Sequence, residues 1–255
     1  MVDLKSAAQI AKMRESGRVV ATALQACKDA AKVGVSLREL DEVARRVLKD
    51  AGATSSFLDY HPRWAPTPFP GVICASVNDV VVHGIPGEYE LRDGDLLGID
   101  FGAELAGYHG DSAISFVVGA AAQADLELIA KAEEALAAGI ARAKPGGRLG
   151  DISHAIGTIG RAAGYGLPAG FGGHGIGRAM HEDPSVPNEG RAGRGLKLKP
   201  GLVIAIEPMF MAGGRDHFRM ADDGWSMVTG DGSRAAHVEH TVAITADGPQ
   251  ILTLP

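Results

Sequence analysis

The sequence predicts a mixed α/β fold, of the α+β kind, in which helices come in two pairs and strands follow each pair. Three observations carry this. Two capped amphipathic segments open the chain, a second such pair repeats the first 112 residues later, and runs rich in Val and Ile follow both.

Ser6 and Gln9 have capping-box spacing, and Ile10, Met13, Val20, Leu24 and Cys27 recur at helical intervals, which places a helix from about residue 7 into the low thirties. Ser36 and Glu39 repeat the box, and Leu40, Val43, Ala44, Val47 and Leu48 give a second helix an apolar stripe that ends near Gly52. The later pair is expected over 126–143 and 149–163. Lys32, Gly34, Leu37, Ala51 and Gly52 recur there as Lys144, Gly146, Leu149, Ala163 and Gly164. Two copies are too few for a solenoid. They imply one domain, 1–255, built from related halves of about 1–120 and 121–255, with a site where the halves meet. Strands are expected over 72–76, 80–83, 96–103, 108–118, 202–210 and 237–245, the third and fourth as a hairpin turning at 104–107. The segment 61–71 carries four prolines and is expected as a loop.

Composition narrows the function. Apolar residues at 45% and charged ones at 22% describe an ordinary globular chain. A net charge of −6 gives no electrostatic case for nucleic acid or an anionic membrane, so no nucleic-acid specificity and no membrane partner are expected. Cys27 and Cys74 form no CxxC pair, so neither a disulfide framework nor a thiolate metal site is expected. The first residues lack an apolar h-region, and the most apolar stretch, 201–211, is broken by Glu207 and Pro208, so the cytoplasm is the expected compartment.

The chemistry announces itself through misplaced acids. Asp100 in LLGIDFG, Asp111 in HGDSAISF, Glu207 in GLVIAIEPMF and Glu239 in AHVEHTVAIT each interrupt a run that otherwise reads as buried. A buried, unpartnered carboxylate costs several kcal/mol or takes up a proton. None of the four segments offers a Lys or Arg in its buried part, which leaves a metal as the simpler partner. Asp100 and Asp111, on successive strands of the hairpin, are expected as cross-strand neighbours able to share an ion. His83, His174 and His181 lie in glycine- and proline-marked segments, VVHGIPG and GGHGIGRAMHEDP. One nitrogen among four carboxylates suits Mn, Fe(II), Co or Zn. Two motifs are decoys. The G-x-G-x-x-G run at 170–175 is followed by the turn-rich HEDPSVPN instead of a helix, and His181-Glu182 does not continue into H-E-x-x-H.

Seven segments then match in order: KMRESGR, NDVVVHGIP, GIDFGAELAGYHGDSA, GHGIGRAMHEDP, IEPM, DGW and VEHT. Through them the chain resembles the type I methionine aminopeptidases in their short form, along essentially its whole length. The resemblance implies the pita-bread fold, in which two pseudo-symmetric halves of paired helices surround a curved antiparallel sheet. It implies two divalent metal ions (Co, Mn, Fe or Zn), with Asp100 and Asp111 on the first, His174 and Glu207 completing the second, and Asp111 and Glu239 as bridges. Such a pair activates water and polarises the scissile carbonyl. Glu207 would shuttle the proton, His181 would stabilise the tetrahedral intermediate, and His83 would lie near the departing amide nitrogen. Tyr60, Phe69, Cys74, Met180 and Trp225, with His83 and His181, would bind the substrate in a mostly apolar pocket suited to methionine.

The expected substrate is the N-terminal methionine of nascent polypeptides, met by a monomer in transient association with the ribosome. The sequence departs from the family at Phe57 (often cysteine), Met180 (often phenylalanine), Val238 (usually aromatic) and the longer 61–71 loop, none of which is an expected ligand. Two other readings remain at this point: a Xaa-Pro aminopeptidase or creatinase-like hydrolase of the same fold, and a binding relative without catalysis.

Overall fold

The computed structural model describes residues 2–255. In chain order its elements are α1 (Ala7–Ala30), α2 (Leu37–Ala51), β1 (Thr54–Ser55), β2 (Ile73–Val77), β3 (Val80–Val82), β4 (Leu96–Leu105), β5 (Tyr108–Val117), α3 (Gln123–Arg142), α4 (Leu149–Ala162), β6 (Gly172–Gly175), β7 (Glu182–Pro187), β8 (Val203–Ile206), β9 (Met209–Met211), β10 (Phe218–Met220), β11 (Met227–Thr229), β12 (Ala235–His237), β13 (Glu239–Thr245) and β14 (Gly248–Ile251).

Both N-terminal helices start where the sequence marks them. The Ser6–Gln9 and Ser36–Glu39 capping boxes are formed in full, and Gly52 closes α2 in the left-handed region at φ 63°. Helix α3 begins three residues earlier than its apolar pattern, because Ala122 at its N-cap offers no side-chain bond to mark the start. The repeat recurs in the hydrogen bonding. Gly34 N–H donates to Leu91 O and Leu37 N–H to Tyr89 O, just as Gly146 donates to Leu198 O and Leu149 to Leu196 O.

Nine strands form one antiparallel sheet in the order β1-β4-β5-β13-β8-β6-β7, with β2 beside β4 and β14 beside β13. The hairpin turn between β4 and β5 is Ala106-Gly107 with φ 54° and 80°, the doubly left-handed turn that matches strand twist. Helices α1 and α2 bury their stripes against β2 and β4 through Leu24, Leu40, Ile73, Ile99 and Phe101. Helices α3 and α4 do the same on β8 and β13 through Leu128, Ile152, Ile156, Ile204 and Val242. The seam between these two packed regions is short: β5 and β13 pair only at Ala113↔Glu239 and Ser112↔His240.

Two expected strands are each broken in two. The run 202–210 divides into β8 and β9, and 237–245 into β12 and β13, which belong to different sheets. Pro208 has no N–H to give a ladder, and its carbonyl instead accepts from Val238 N–H. One register nevertheless runs through both ladders, since Met209 pairs with His237 and Ile206 with His240. Glu207 therefore lies across from Glu239 at the break.

The segment expected to be turns after residue 181 is partly the strand β7, paired with β6. Its pattern escapes propensity because β6 is Gly-Gly-His-Gly. At Gly173 a Cβ would run into the Ala205 carbonyl of β8, so the neighbouring backbone tolerates only glycine.

A similar approach seats α1 on the sheet. A Cβ at Gly110 would lie 2.9 Å from Gly17 N, and one on Gly17 would enter the Leu252 carbonyl. Gly17→Ala is expected to cost about 2–3 kcal/mol and to lower Tm by about 5–10 °C, measured by thermal unfolding. An unchanged Tm would show that α1 can ride up without penalty.

Candidate metal centre

The sheet register builds the site. Cys74 pairs with Asp100, Asp100 with Ala113, and Ala113 with Glu239, so these side chains line one row across four strands on one face. Asp111 faces Gly102, two pairs further along the hairpin and so on the same face. Asp100 and Asp111 are thus diagonal neighbours, not the directly opposed pair the sequence suggested. Glycine is needed at 102, where a Cβ would stand 2.8 Å from Phe57 Cε1 and 3.2 Å from Met180 Cε.

From the other half come His174 on β6 and Glu207 at the end of β8. His174 Nδ1 lies 2.8 Å from the Gly175 carbonyl, which fixes the proton there and leaves Nε2 as a lone pair. That nitrogen is 3.8 Å from both Asp111 Oδ2 and Glu207 Oε1. Asn188 Nδ2 donates to the Glu207 carbonyl at 2.9 Å. Thr241 Oγ1 accepts from Asp111 N–H and donates to Asp111 O, and Ser112 Oγ donates to Glu239 O, so the strands carrying these acids are cross-tied.

The acids are deeply buried and short of partners. Asp111 is 3% exposed and Glu239 1%. Asp100 Oδ1, Asp111 Oδ1, Glu239 Oε1 and His237 Nε2 are buried without a hydrogen bond. Burial, then the charges of neighbouring carboxylates, pushes the Asp111 and Glu239 carboxyls well above their usual range. Burial raises Asp100 to about 6. At Glu207 burial is outweighed by the imidazole of His237 beside it and by His174 and His181, so its carboxyl is held low. Asp111, His174 and Glu239 bring donor atoms within 4.8 Å of one another, and so do Glu207, His237 and Glu239. Two oxygen-rich donor sets sharing one glutamate, with orphaned lone pairs aimed inward, fit two divalent ions.

Above them opens a cavity of about 740 Å³. Tyr60, Phe69, Cys74, His83, Met180, His181 and Trp225 all line it, together with Asp100, Asp111, His174, Glu207 and Glu239. Burial drives His83 down to about 4, and burial with the charge of His174 drives His181 down to about 3, so both rings are neutral near pH 7. The His181 ring sits 4.3 Å from that of His174 and 5.4 Å from Tyr60. His83 is held at φ 62°, a left-handed conformation uncommon for residues other than glycine.

Sequence reasoning missed two residues here. Trp64, from the proline-rich loop, stacks on His83 at 5.9 Å with 21° between planes and meets Trp225 edge-on at 5.0 Å, while half its surface faces solvent. Its only signal was a lone tryptophan among prolines. His237 was overlooked although it precedes Glu239 by two, the spacing that puts strand neighbours on one face.

Known proteins resemble this chain in sequence and in fold. The profile of metallopeptidase family M24 matches residues 11–246. Methionine aminopeptidase 1 of Mycobacterium tuberculosis is 52% identical over 100% of this chain and 96% of its own length. The Bacillus subtilis methionine aminopeptidase 1 is 46% identical over 99% of each. The crystal structure of methionine aminopeptidase from Thermotoga maritima superposes with a TM-score of 0.95, at 36% identity and full coverage of both chains. A prolidase from Pyrococcus furiosus, 23% identical, shares the fold with a TM-score of 0.77 over 99% of this chain and 65% of its own. The curved antiparallel sheet flanked by four helices is the pita-bread fold. By sequence and by structure, the chain belongs to metallopeptidase family M24 and, within it, to the type I methionine aminopeptidases.

Proposed function

We propose that this chain is a metal-dependent hydrolase that removes the N-terminal methionine from proteins and peptides. The observation that carries the reading is the pair of donor sets, joined through Glu239, at the floor of an apolar cavity. Asp100, Asp111, His174, Glu207 and Glu239 would hold two divalent ions, whose chemistry is to activate water and polarise the scissile carbonyl.

The residues of the chain divide the remaining work. The free amino terminus of the substrate would sit against these carboxylates and the ions they hold. Phe69, Cys74, Met180 and Trp225 form an apolar wall for a flexible thioether side chain, with Tyr60 at the rim. Glu207, ionised despite its burial, takes the proton from water and returns it to the leaving amine. His181, neutral at working pH, donates a hydrogen bond to the oxygen that gains charge, and neutral His83 faces the departing nitrogen.

Release of methionine from Met-Ala-Ser by protein loaded in turn with Mn, Co, Fe or Zn tests the reaction. Turnover of Ala-Pro peptides in its place would favour the Xaa-Pro reading, and no release with any metal would end the enzyme reading. His181→Ala is expected to lower kcat by about 10²- to 10³-fold, the usual effect of losing one such donor, with KM changing much less.

The enzyme is further proposed to act as a monomer in the cytoplasm, associating transiently with ribosomes. Among the described residues no helix is long and apolar enough to cross a membrane. Although the whole chain is acidic, two adjoining loops gather exposed cations: Arg142, Lys144 and Arg148 beside Arg191, Arg194, Lys197 and Lys199. Backbone bonds from Gly146 to Leu198 and from Gly150 to Arg194 hold the loops together. Such a patch supports docking on ribosomal RNA. Co-sedimentation with ribosomes should weaken steeply with salt and be lost when Arg191, Arg194 and Lys197 are changed to Glu; salt-independent binding would reject this surface.

A further inference from the structure

Resting on the metallopeptidase reading, we propose that His237 is a sixth donor of the metal centre, binding through Nε2 between Glu207 and Glu239. The five ligands implied by the family do not include it. Its backbone is carried rigidly: β12 pairs it with Met209, its N–H donates to Ser115 Oγ at 3.1 Å, and its carbonyl accepts from the same hydroxyl at 2.7 Å. The shared register of the two broken ladders places it on the face of Glu207 and Glu239, and only 4% of its surface is exposed.

The geometry repeats that of His174. His174 Nε2 stands 3.8 Å from one oxygen of Asp111 and 3.8 Å from Glu207 Oε1. His237 Nε2 stands 3.3 Å from Glu207 Oε2 and 3.9 Å from Glu239 Oε2. Glu207 thus turns one oxygen to each imidazole. Donors sharing an ion at about 2.0–2.2 Å are themselves separated by about 3.0–3.5 Å in octahedral or tetrahedral arrangements, and the His237–Glu207 distance falls in that range. A hydrogen bond to Glu207 is the competing role. At 3.3 Å the contact is longer than an ordinary N–H···O bond, however, and His237 Nε2 and Glu239 Oε1 both lie buried without a hydrogen bond. An ion seated among Glu207, His237 and Glu239 satisfies His237 Nε2 and brings the carboxylates a charge of the right sign. The centre would then hold two imidazoles, one on each side of Glu207, which favours Fe, Co and Zn over purely oxygen-seeking ions.

Cobalt(II) titration of metal-free protein, followed by proton NMR of the paramagnetically shifted imidazole resonances, counts the coordinated histidines without any activity measurement. Two shifted imidazole sets are expected in the unmodified protein, one of which disappears in His237→Gln and the other in His174→Ala. His237→Gln keeps an N–H for Glu207, so a hydrogen-bonding role would be rescued, whereas a ligand role costs at least about tenfold in the affinity for one cobalt. A single shifted set in the unmodified protein, or two sets that both persist in His237→Gln, overturns the proposal and leaves the metallopeptidase reading standing. Failure to bind cobalt at all overturns both.

Discussion

Glu207→Gln is expected to lower kcat for methionine release from Met-Ala-Ser by about 10²- to 10⁴-fold, the range for removal of a general acid-base group. The side chain is singled out by its surroundings. Four acids share the floor of the cavity, yet burial and mutual repulsion push Asp100, Asp111 and Glu239 upward, whereas His237, His174 and His181 hold Glu207 down. With ions bound all four acids are ionised, and Glu207 is the one set among three imidazoles. Its position also frees it, because the β8 ladder ends at Ile206 and Pro208 blocks its continuation. Glutamine preserves the volume and the backbone, including the bond from Asn188 to the residue 207 carbonyl, so far-ultraviolet dichroism should be unchanged. The assay is run at saturating metal, with metal content measured on the same samples. A kcat within tenfold of the unmodified protein at equal metal content would remove Glu207 from the proton path.

The sequence carried the parts of this fold that local chemistry writes down. Both capping boxes, the αL closure at Gly52 and the hairpin turn at Ala106-Gly107 follow from residues a few positions apart. What it hid depends on partners far along the chain. The strand β6 is nearly all glycine because the Ala205 carbonyl presses on it, and nothing local says so. The division of 202–210 into β8 and β9 follows from Pro208, whose effect looked like a mere interruption until Val238 was seen bonded to its carbonyl. The same holds for the site. Acids in apolar runs announced a cation, since burial is costly for them wherever they lie. Their diagonal arrangement needed the register, and His237 needed the knowledge that β12 and β13 share one register across a break. Trp64 reaches His83 from a loop whose path no periodicity describes.

Those same shifted groups predict how stability responds to pH, with opposite signs in the presence and absence of metal. Burial pushes the Asp111 and Glu239 carboxyls of the metal-free folded protein well up, so it holds these protons over a range in which the unfolded chain has already lost them. The folded state binds more protons, so stability falls as pH rises. His237, raised by Glu207 and Asp100 against the effect of burial, adds to the fall. Metal-free protein should therefore melt at a lower temperature at about pH 8.5 than at about pH 6.5. Metal loading inverts this trend: the ligands must be deprotonated to bind, so rising pH favours the loaded state. Thermal melts at the two pH values, with chelator and with added manganese, check both signs. A chelated protein that melts no lower at the higher pH would mean that the acids find cationic partners other than metal, which would undo the case for the metal centre from its first step.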